Sequence, residues 1–176
     1  MENIWQPIQL KDQKVILEPL QEMDFEALYQ VASDPLIWEQ HPNPDRYQRH
    51  VFENYFKGAM ESGGAMLIRD ADDRLVIGCS RFYDYDSGGR SVLIGYTFFA
   101  RSCWGRGYNP AAKRLMLDYA FQFADQVIFH VGANNIRSQK AMERLGAIKT
   151  GELEVAYFGE PSKMNFVYTI QSSRME

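Results

Sequence analysis

The residues Arg101-Ser102-Cys103-Trp104-Gly105-Arg106-Gly107-Tyr108-Asn109-Pro110 join an apolar extended run to a segment of helical periodicity. Gly105 and Gly107 let the main chain take positive φ and approach a ligand closely, which no larger residue does without strain. N–H groups from about Gly105 to Asn109 can therefore face an anion, and the dipole of the following helix adds favourable partial charge. Asn109 suits an N-cap and Pro110 the first helical position, where a missing N–H is harmless. The chemistry this pattern supports is the cradling of a diphosphate, with Arg106 beside it as a cation. A glycine pair alone fits an ordinary tight turn equally well, so the surrounding pattern must decide.

Two nucleotide readings weaken on that pattern. A dinucleotide fingerprint places a third glycine where Pro110 stands and an acid at the end of the next strand, whereas Asp125 precedes that strand. The phosphate loop of nucleotide hydrolases needs Gly-Lys-Ser or Gly-Lys-Thr, which is absent after these glycines.

The elements that must position the turn follow from periodicity. Lys14 to Glu18 reads as a strand, and a helix from about Glu22 to Ala32 has Phe25, Leu28 and Tyr29 on its apolar side. Ser33-Asp34-Pro35 breaks it, and His41 to Asp45 is a proline-rich loop before a helix over Arg46 to Glu61. Ala65 to Arg69, Leu75 to Tyr85 and Ser91 to Phe99 form a meander with Asp- and Gly-rich turns. A helix from Pro110 to about Ala124 repeats Ala112, Leu115, Met116, Tyr119, Ala120 and Phe123 at three- and four-residue steps. Val127 to Val131 is then a short strand parallel to the one before the helix, since a helical crossover joins them. Asn134-Asn135-Ile136-Arg137-Ser138 starts a further helix that Gly146 stops, and strands near Lys149 to Tyr157 and Lys163 to Ile170 close the chain.

Composition narrows the function. With 176 residues, 45% of them hydrophobic, one domain over residues 1–176 is expected. A net charge of −4 argues against a nucleic-acid partner. Met1 to Leu10 lack a basic start and an apolar core, and no run is long enough to span a membrane, so a cytoplasmic location is expected. Cys79, read as a buried strand thiol, and Cys103, read as a loop residue, make neither a disulfide framework nor a metal site.

Four segments in order, Ile94-Gly95-Tyr96, Trp104-Gly105-Arg106-Gly107-Tyr108, Asn135-Ile136-Arg137-Ser138 and Leu145-Gly146-Ala147, resemble the GNAT superfamily of acyl-CoA-dependent N-acetyltransferases. The likeness runs from about Lys14 to Ile170 and is greatest to the branch that includes the ribosomal-protein N-acetyltransferases. It implies an α+β (mixed α/β) GNAT-type fold: a central, mixed, mostly antiparallel sheet with one parallel splayed strand pair and flanking helices. It also implies acetyl-CoA as cosubstrate, no metal, and a primary-amine acceptor, either a protein N-terminus or a small molecule. A homodimer stays open. By the same resemblance Trp104, Gly105, Arg106, Gly107, Tyr108 and Asn109 bind the pyrophosphate, Thr97, Phe98 and Phe99 offer main-chain bonds to the pantetheine, and Asn135 and Arg137 assist.

Direct transfer to an amine requires orientation of both substrates, a neutral amine, a polarised carbonyl and a proton for the departing thiolate. Ser138, in the first turn of its helix, can supply that proton or orient a water, and Asn135 can bond the pantetheine amide. Local helix-start bonds explain both residues equally well. Relatives often place a tyrosine acid four residues after Ser138, where this chain has Met142. They often carry Gly or Ala where Asn109 stands, an acid where Ala111 stands and a glutamate where Leu93 stands. Candidates for the base are Tyr83, Asp84 and Asp86 at a strand end and Glu39 or His41 in a loop, each more ordinarily a solvated residue. His130 lies beside the expected splay, where a core histidine is the commoner case. Arg106, Arg137 and Lys140 are the cations within reach of coenzyme phosphates. The rival functions are a catalytically silent acyl-CoA-binding module and a nucleotide-binding α/β protein.

Overall fold

A computed structural model describes residues 3–173. Eight strands form one sheet in the order β1-β2-β3-β4-β5-β6-β8-β7. They are β1 (Leu10–Lys11), β2 (Val15–Pro19), β3 (Ala65–Asp70), β4 (Val76–Asp86), β5 (Ser91–Phe99), β6 (Gln126–Gly132), β7 (Ile148–Ala156) and β8 (Ser162–Gln171). The helices are α1 (Phe25–Ala32), α2 (Arg49–Ser62), α3 (Tyr108–Ala120) and α4 (Ile136–Leu145). Every neighbouring pair is antiparallel except β5 and β6, the pair that α3 connects. This is the mixed, mostly antiparallel α/β architecture expected from the sequence.

The two-residue alternation of the strands feeds two cores. In β3, Met66 and Ile68 enter the layer under α3, while Ala65 and Leu67 enter the layer under α1 and α2. The α3 layer adds Phe82, Val92, Ile94, Met116 and Phe129, and the other is built on Trp38, Phe52, Tyr55, Cys79 and Phe98. Central strands buried on both faces are what near-continuous apolar runs such as Val92-Leu93-Ile94 dictate.

Several boundaries differ from the sequence reading for local reasons. The first helix opens with a 3-10 turn at Glu22–Asp24, where the Asp24 carboxylate accepts from the Gln21 N–H at 2.8 Å. Pro44–Tyr47 forms another such turn, so α2 begins at Arg49. α3 begins at Tyr108, because Gly107 at φ 85° already turns the chain into the helix. Asn109 and Pro110 are thus its second and third residues, neither the N-cap nor the first position. α3 ends at Ala120 and the chain turns through Phe121 to Ala124. Cys103 lies in a 3-10 turn at Arg101–Cys103 and is buried in the core.

Two features open the sheet. The β5–β6 ladder covers only Ser91–Gln126, Val92–Val127 and Leu93–Ile128, after which the strands part while β6 stays paired with β8 to Gly132. On the other side of β5, Phe98 pairs Cys79 and Gly95 pairs Arg81, so β5 spends one residue more than β4 over this stretch. That bulge sits at Tyr96, whose φ of 54° is left-handed. From Ile94 onward the β6-facing edge of β5 lies outside the ladder, and its main-chain groups face the gap.

Candidate active site

The glycine turn has the geometry its composition requires. Gly105 and Gly107 lie at φ 70° and 85°, and a Cβ at Gly105 would meet nothing within 4 Å. Indole Nε1 of Trp104 donates to the Phe99 carbonyl at 3.1 Å, fixing the turn to the end of β5. Tyr108 donates its hydroxyl to Asp70 at 2.5 Å, and this bond holds the Asp70 carboxyl below its usual range. Two cations flank the turn: Lys14 lies 4.5 Å from the Tyr108 ring centre and Arg106 5.7 Å from it. Amides at the start of α3, two positive-φ glycines and two nearby cations are the groups that could hold an anion here. The residues present therefore fit a coenzyme diphosphate.

Beneath the cradle lies a group that the sequence reading passed over. Lys113, one and a half turns into α3, is 3% exposed. Its ammonium donates to Thr97 Oγ1 at 2.8 Å and to Asn109 Oδ1 at 3.4 Å, and Thr97 shares a 2.7 Å hydrogen bond with Ser80. Burial pushes its pKa down to about 7. Side chains on a helix lean toward its N-terminus, so this ammonium reaches from the α3 face to the β5 bulge. Its register was a readable signal, since Lys113 shares the buried stripe of Met116 and Ala120.

The far lip of the gap is α4. Asn135 caps it as expected, its Oδ1 accepting from Ser138 N–H at 3.2 Å, and Gly146 ends it at φ 87°. Arg137 stacks 3.9 Å from the Trp104 ring centre, so one side chain from each lip meets across the mouth. The loop after α1 packs here too: Gln40 Oε1 accepts from Arg137 N–H at 3.1 Å, and Glu39 is ion-paired with Arg137 at 3.4 Å. Glu39 is thereby engaged at the lip, and His41 accepts from Asn43 N–H at 2.9 Å under Arg46.

On the opposite face of the sheet, β4, β5, β6, β7 and the end of α2 enclose a cleft of about 440 Å³. Its lining includes Arg81, Tyr83, Asp84, Tyr96, His130 and Tyr157. Burial lowers the pKa of His130, with Asp84 pulling it partly back up, so the imidazole is neutral at pH 7. Burial and the neighbouring Tyr157 and Tyr96 raise Tyr83 well above the ordinary phenol range. Tyr83 therefore stays protonated and can donate a proton or hydrogen bond, but it is a poor base. Asp86 ends β4 outside the cleft lining and accepts from Gly88 N–H at 2.9 Å in the turn that follows.

The candidates thus fall into two groups. The main chain of Thr97 to Phe99, the turn from Trp104 to Asn109 and the start of α4 at Asn135, Arg137 and Ser138 lie on the side of the parted strands, with the Phe98 ring packed in the layer under α1 and α2, whereas Tyr83, Asp84 and His130 line the cleft. Tyr83 is not brought to Ser138 and Asn135; the two groups are joined by the β5 bulge, where Tyr96 lines the cleft and Thr97 meets Lys113. A larger cleft of about 910 Å³ between α1 and the β3–β4 hairpin has two of its three lining cations, Arg69 and Arg101, paired with Glu18 and Asp34.

Comparison with known proteins places this geometry. The Acetyltransferase (GNAT) domain family matches residues 14–148. A solved structure from T. thermophilus assigned as an acetyltransferase is 25% identical, with a TM-score of 0.75 over 94% of this chain and 89% of its own. Mycobacterium smegmatis RimJ in complex with CoA-disulfide is 19% identical, with a TM-score of 0.71 over 95% and 87% of the two chains. A Vibrio cholerae structure assigned as a ribosomal-protein-serine acetyltransferase is 15% identical, with a TM-score of 0.73 over 93% and 97%. The glycine turn, the parted parallel strands and the matched residues agree: the chain belongs to the GNAT acetyltransferase family.

Proposed function

We propose that the protein transfers the acetyl group of acetyl-CoA directly to a primary amine, with the coenzyme on the α3 side of the sheet and the amine in the cleft opposite. The observation that carries this reading is the convergence of both sites on the β5 bulge, with Thr97 on one side and Tyr96 on the other. Two reactants held on either side of one opening need no covalent enzyme intermediate, because proximity supplies the catalytic advantage. Acetyl-CoA supplies the thioester. The chain must then take one proton from the amine and deliver one to the thiolate.

Each task has a candidate. His130, neutral and beside Asp84, can accept the amine proton directly or through a water. Ser138, with its N–H held by Asn135, can present its hydroxyl at the mouth as donor to the thiolate. Main-chain groups of β5 beyond Leu93 can bond the pantetheine, and the amides of Gly105 to Asn109 the diphosphate. Arg106, Lys14 and Arg137 add positive potential.

The test is thermal stability with acetyl-CoA or ADP, followed by thiol release with peptide N-termini, polyamines and amino sugars. Acetyl-CoA should raise Tm more than ADP, and at least one amine class should accelerate thiol release. Coenzyme stabilisation with only slow hydrolysis would favour a silent binding module. No stabilisation at all would remove the reading.

A further inference from the structure

The acceptor cleft contains a buried cation that the fold itself does not neutralise. Arg81 lies on β4 and is 2% exposed. One of its terminal nitrogens donates to the Tyr55 carbonyl at 3.3 Å, and its guanidinium stacks 3.7 Å from the Tyr96 ring centre and 5.3 Å from that of Tyr55. Its Nε is buried without a hydrogen-bond partner, and no carboxylate among the described residues forms an ion pair with it.

A second arginine in the same aromatic cluster shows what this sequence does with a structural guanidinium. Arg46, 1% exposed, is surrounded by the rings of Trp38, Tyr55, Tyr96 and Tyr157 at 5.2–5.6 Å. It is also held by a two-pronged bond to Glu160 at 2.8 and 2.9 Å. Both arginines have ring faces; only Arg46 has its carboxylate. A buried guanidinium offers a planar fork suited to a carboxylate, and leaving its N–H groups unmatched is unfavourable. Arg81 lines the cleft, whereas Arg46 does not. The partner missing from Arg81 is accordingly one that a ligand can bring.

The rest of the lining fixes the other end of that ligand. Glu61, Asp84 and Glu154 also line the cleft, and all three are exposed, whereas Arg81 is at its floor. Cationic floor and anionic rim together match a zwitterion. We propose that the acceptor is a small amino carboxylate, a free amino acid in chemical class, whose carboxylate is bound by Arg81 while its amine is presented to the thioester at the β5 bulge. This rests on the acetyl-transfer reading and narrows it. In the reaction the bound ammonium first releases one proton to solvent; the amine lone pair then forms the N–C bond as the C–S bond breaks, the nitrogen gives up a second proton, the thiolate takes one, and the carboxylate is unchanged. The Tyr96 ring against which Arg81 stacks belongs to the bulge residue itself, so the anchor adjoins the bulge, where a short amino carboxylate fits better than a long chain.

The experiment compares matched acceptors with the intact protein and acetyl-CoA: phenylalanine, phenylalaninamide and phenethylamine; leucine, leucinamide and isopentylamine; and peptides with neutral or acidic N-terminal residues. The carboxylate-bearing member of at least one set should have a kcat/KM at least tenfold above its amide and its decarboxylated amine. Arg81→Gln should abolish that preference by raising KM for the carboxylate toward those of the other two acceptors, while Arg81→Lys should restore part of it. Coenzyme binding by calorimetry serves as the folding control for both variants. Equal use of all three members of every set, or preference for a peptide over every free amino acid, overturns the amino-carboxylate assignment and leaves acetyl transfer standing. Absence of thiol release with every amine overturns the transfer reading and this inference together.

Discussion

Lys113 gives the sharpest test of how the coenzyme side of the site is built. Its pKa is lowered to about 7 by burial, and no acid contributes. Because the folded value lies below the unfolded one, the unfolded chain binds the extra proton between about pH 7 and 10.5, and stability rises with pH across that window. Integrating from pH 7 to 9.5 gives a gain of about 3 kcal/mol for a fully buried lysine. Cys79 acts in the opposite sense: burial raises its thiol from 9.0 to about 11, so its contribution declines as pH passes 9. The measurement must therefore be a difference. Urea unfolding of the wild type and Lys113→Met at pH 6.5 to 9.5 should show the wild type gaining on the variant by about 1.4 kcal/mol per pH unit at most. Saturating coenzyme should move that gain to higher pH, because a bound diphosphate near the N-terminus of α3 stabilises the charged ammonium. A flat difference would show that water reaches Lys113 and that the closed Thr97–Lys113–Asn109 network is wrong.

Gly107→Val should lower Tm and weaken acetyl-CoA binding at least tenfold, since a β-branched residue is strained at φ 85° and crowds the anion; unchanged affinity in a folded variant, by calorimetry, would discount the cradle. Ser138→Ala should reduce kcat by roughly ten- to a thousandfold with little change in the acetyl-CoA KM, whereas an intact kcat would assign the serine to helix structure alone. Glu160→Gln should cost about 3–5 kcal/mol in chemical denaturation, because it strands Arg46 inside its aromatic cage; a loss below about 1 kcal/mol would mean that the rings alone hold the cation.

The parts of this fold legible in the sequence are those that local chemistry decides. Asn135 and Gly146 bracket α4 as their side-chain and backbone preferences require, and the Asp- and Gly-rich turns place β3, β4 and β5 within a residue or so. The glycine turn was legible for the same reason, yet the start of α3 was not. A left-handed Gly107 competes with the Asn109-Pro110 capping signal, and Tyr108 bonded to Asp70 on β3 favours the earlier start by a contact remote in sequence.

The cleft proposed for the acceptor was hidden for a different reason. Its cleft is assembled from α2, β4, β5, β6 and β7, so no spacing along the chain records that Tyr83, Asp84 and His130 share it. The bulge at Tyr96 depends on how β5 registers against β4, and the Tyr55 hydroxyl that bonds its carbonyl at 2.5 Å comes from α2. Arg81 was the one available signal. A charged residue between Cys79 and Tyr83 in a central strand must be paired or functional, because the strand gives it no route to solvent. Which of the two it is depends on whether a carboxylate such as Glu160 folds onto it. Glu160 is committed to Arg46, so Arg81 lines the cleft with no ion-pair carboxylate among the described residues and with its Nε lacking a hydrogen-bond partner.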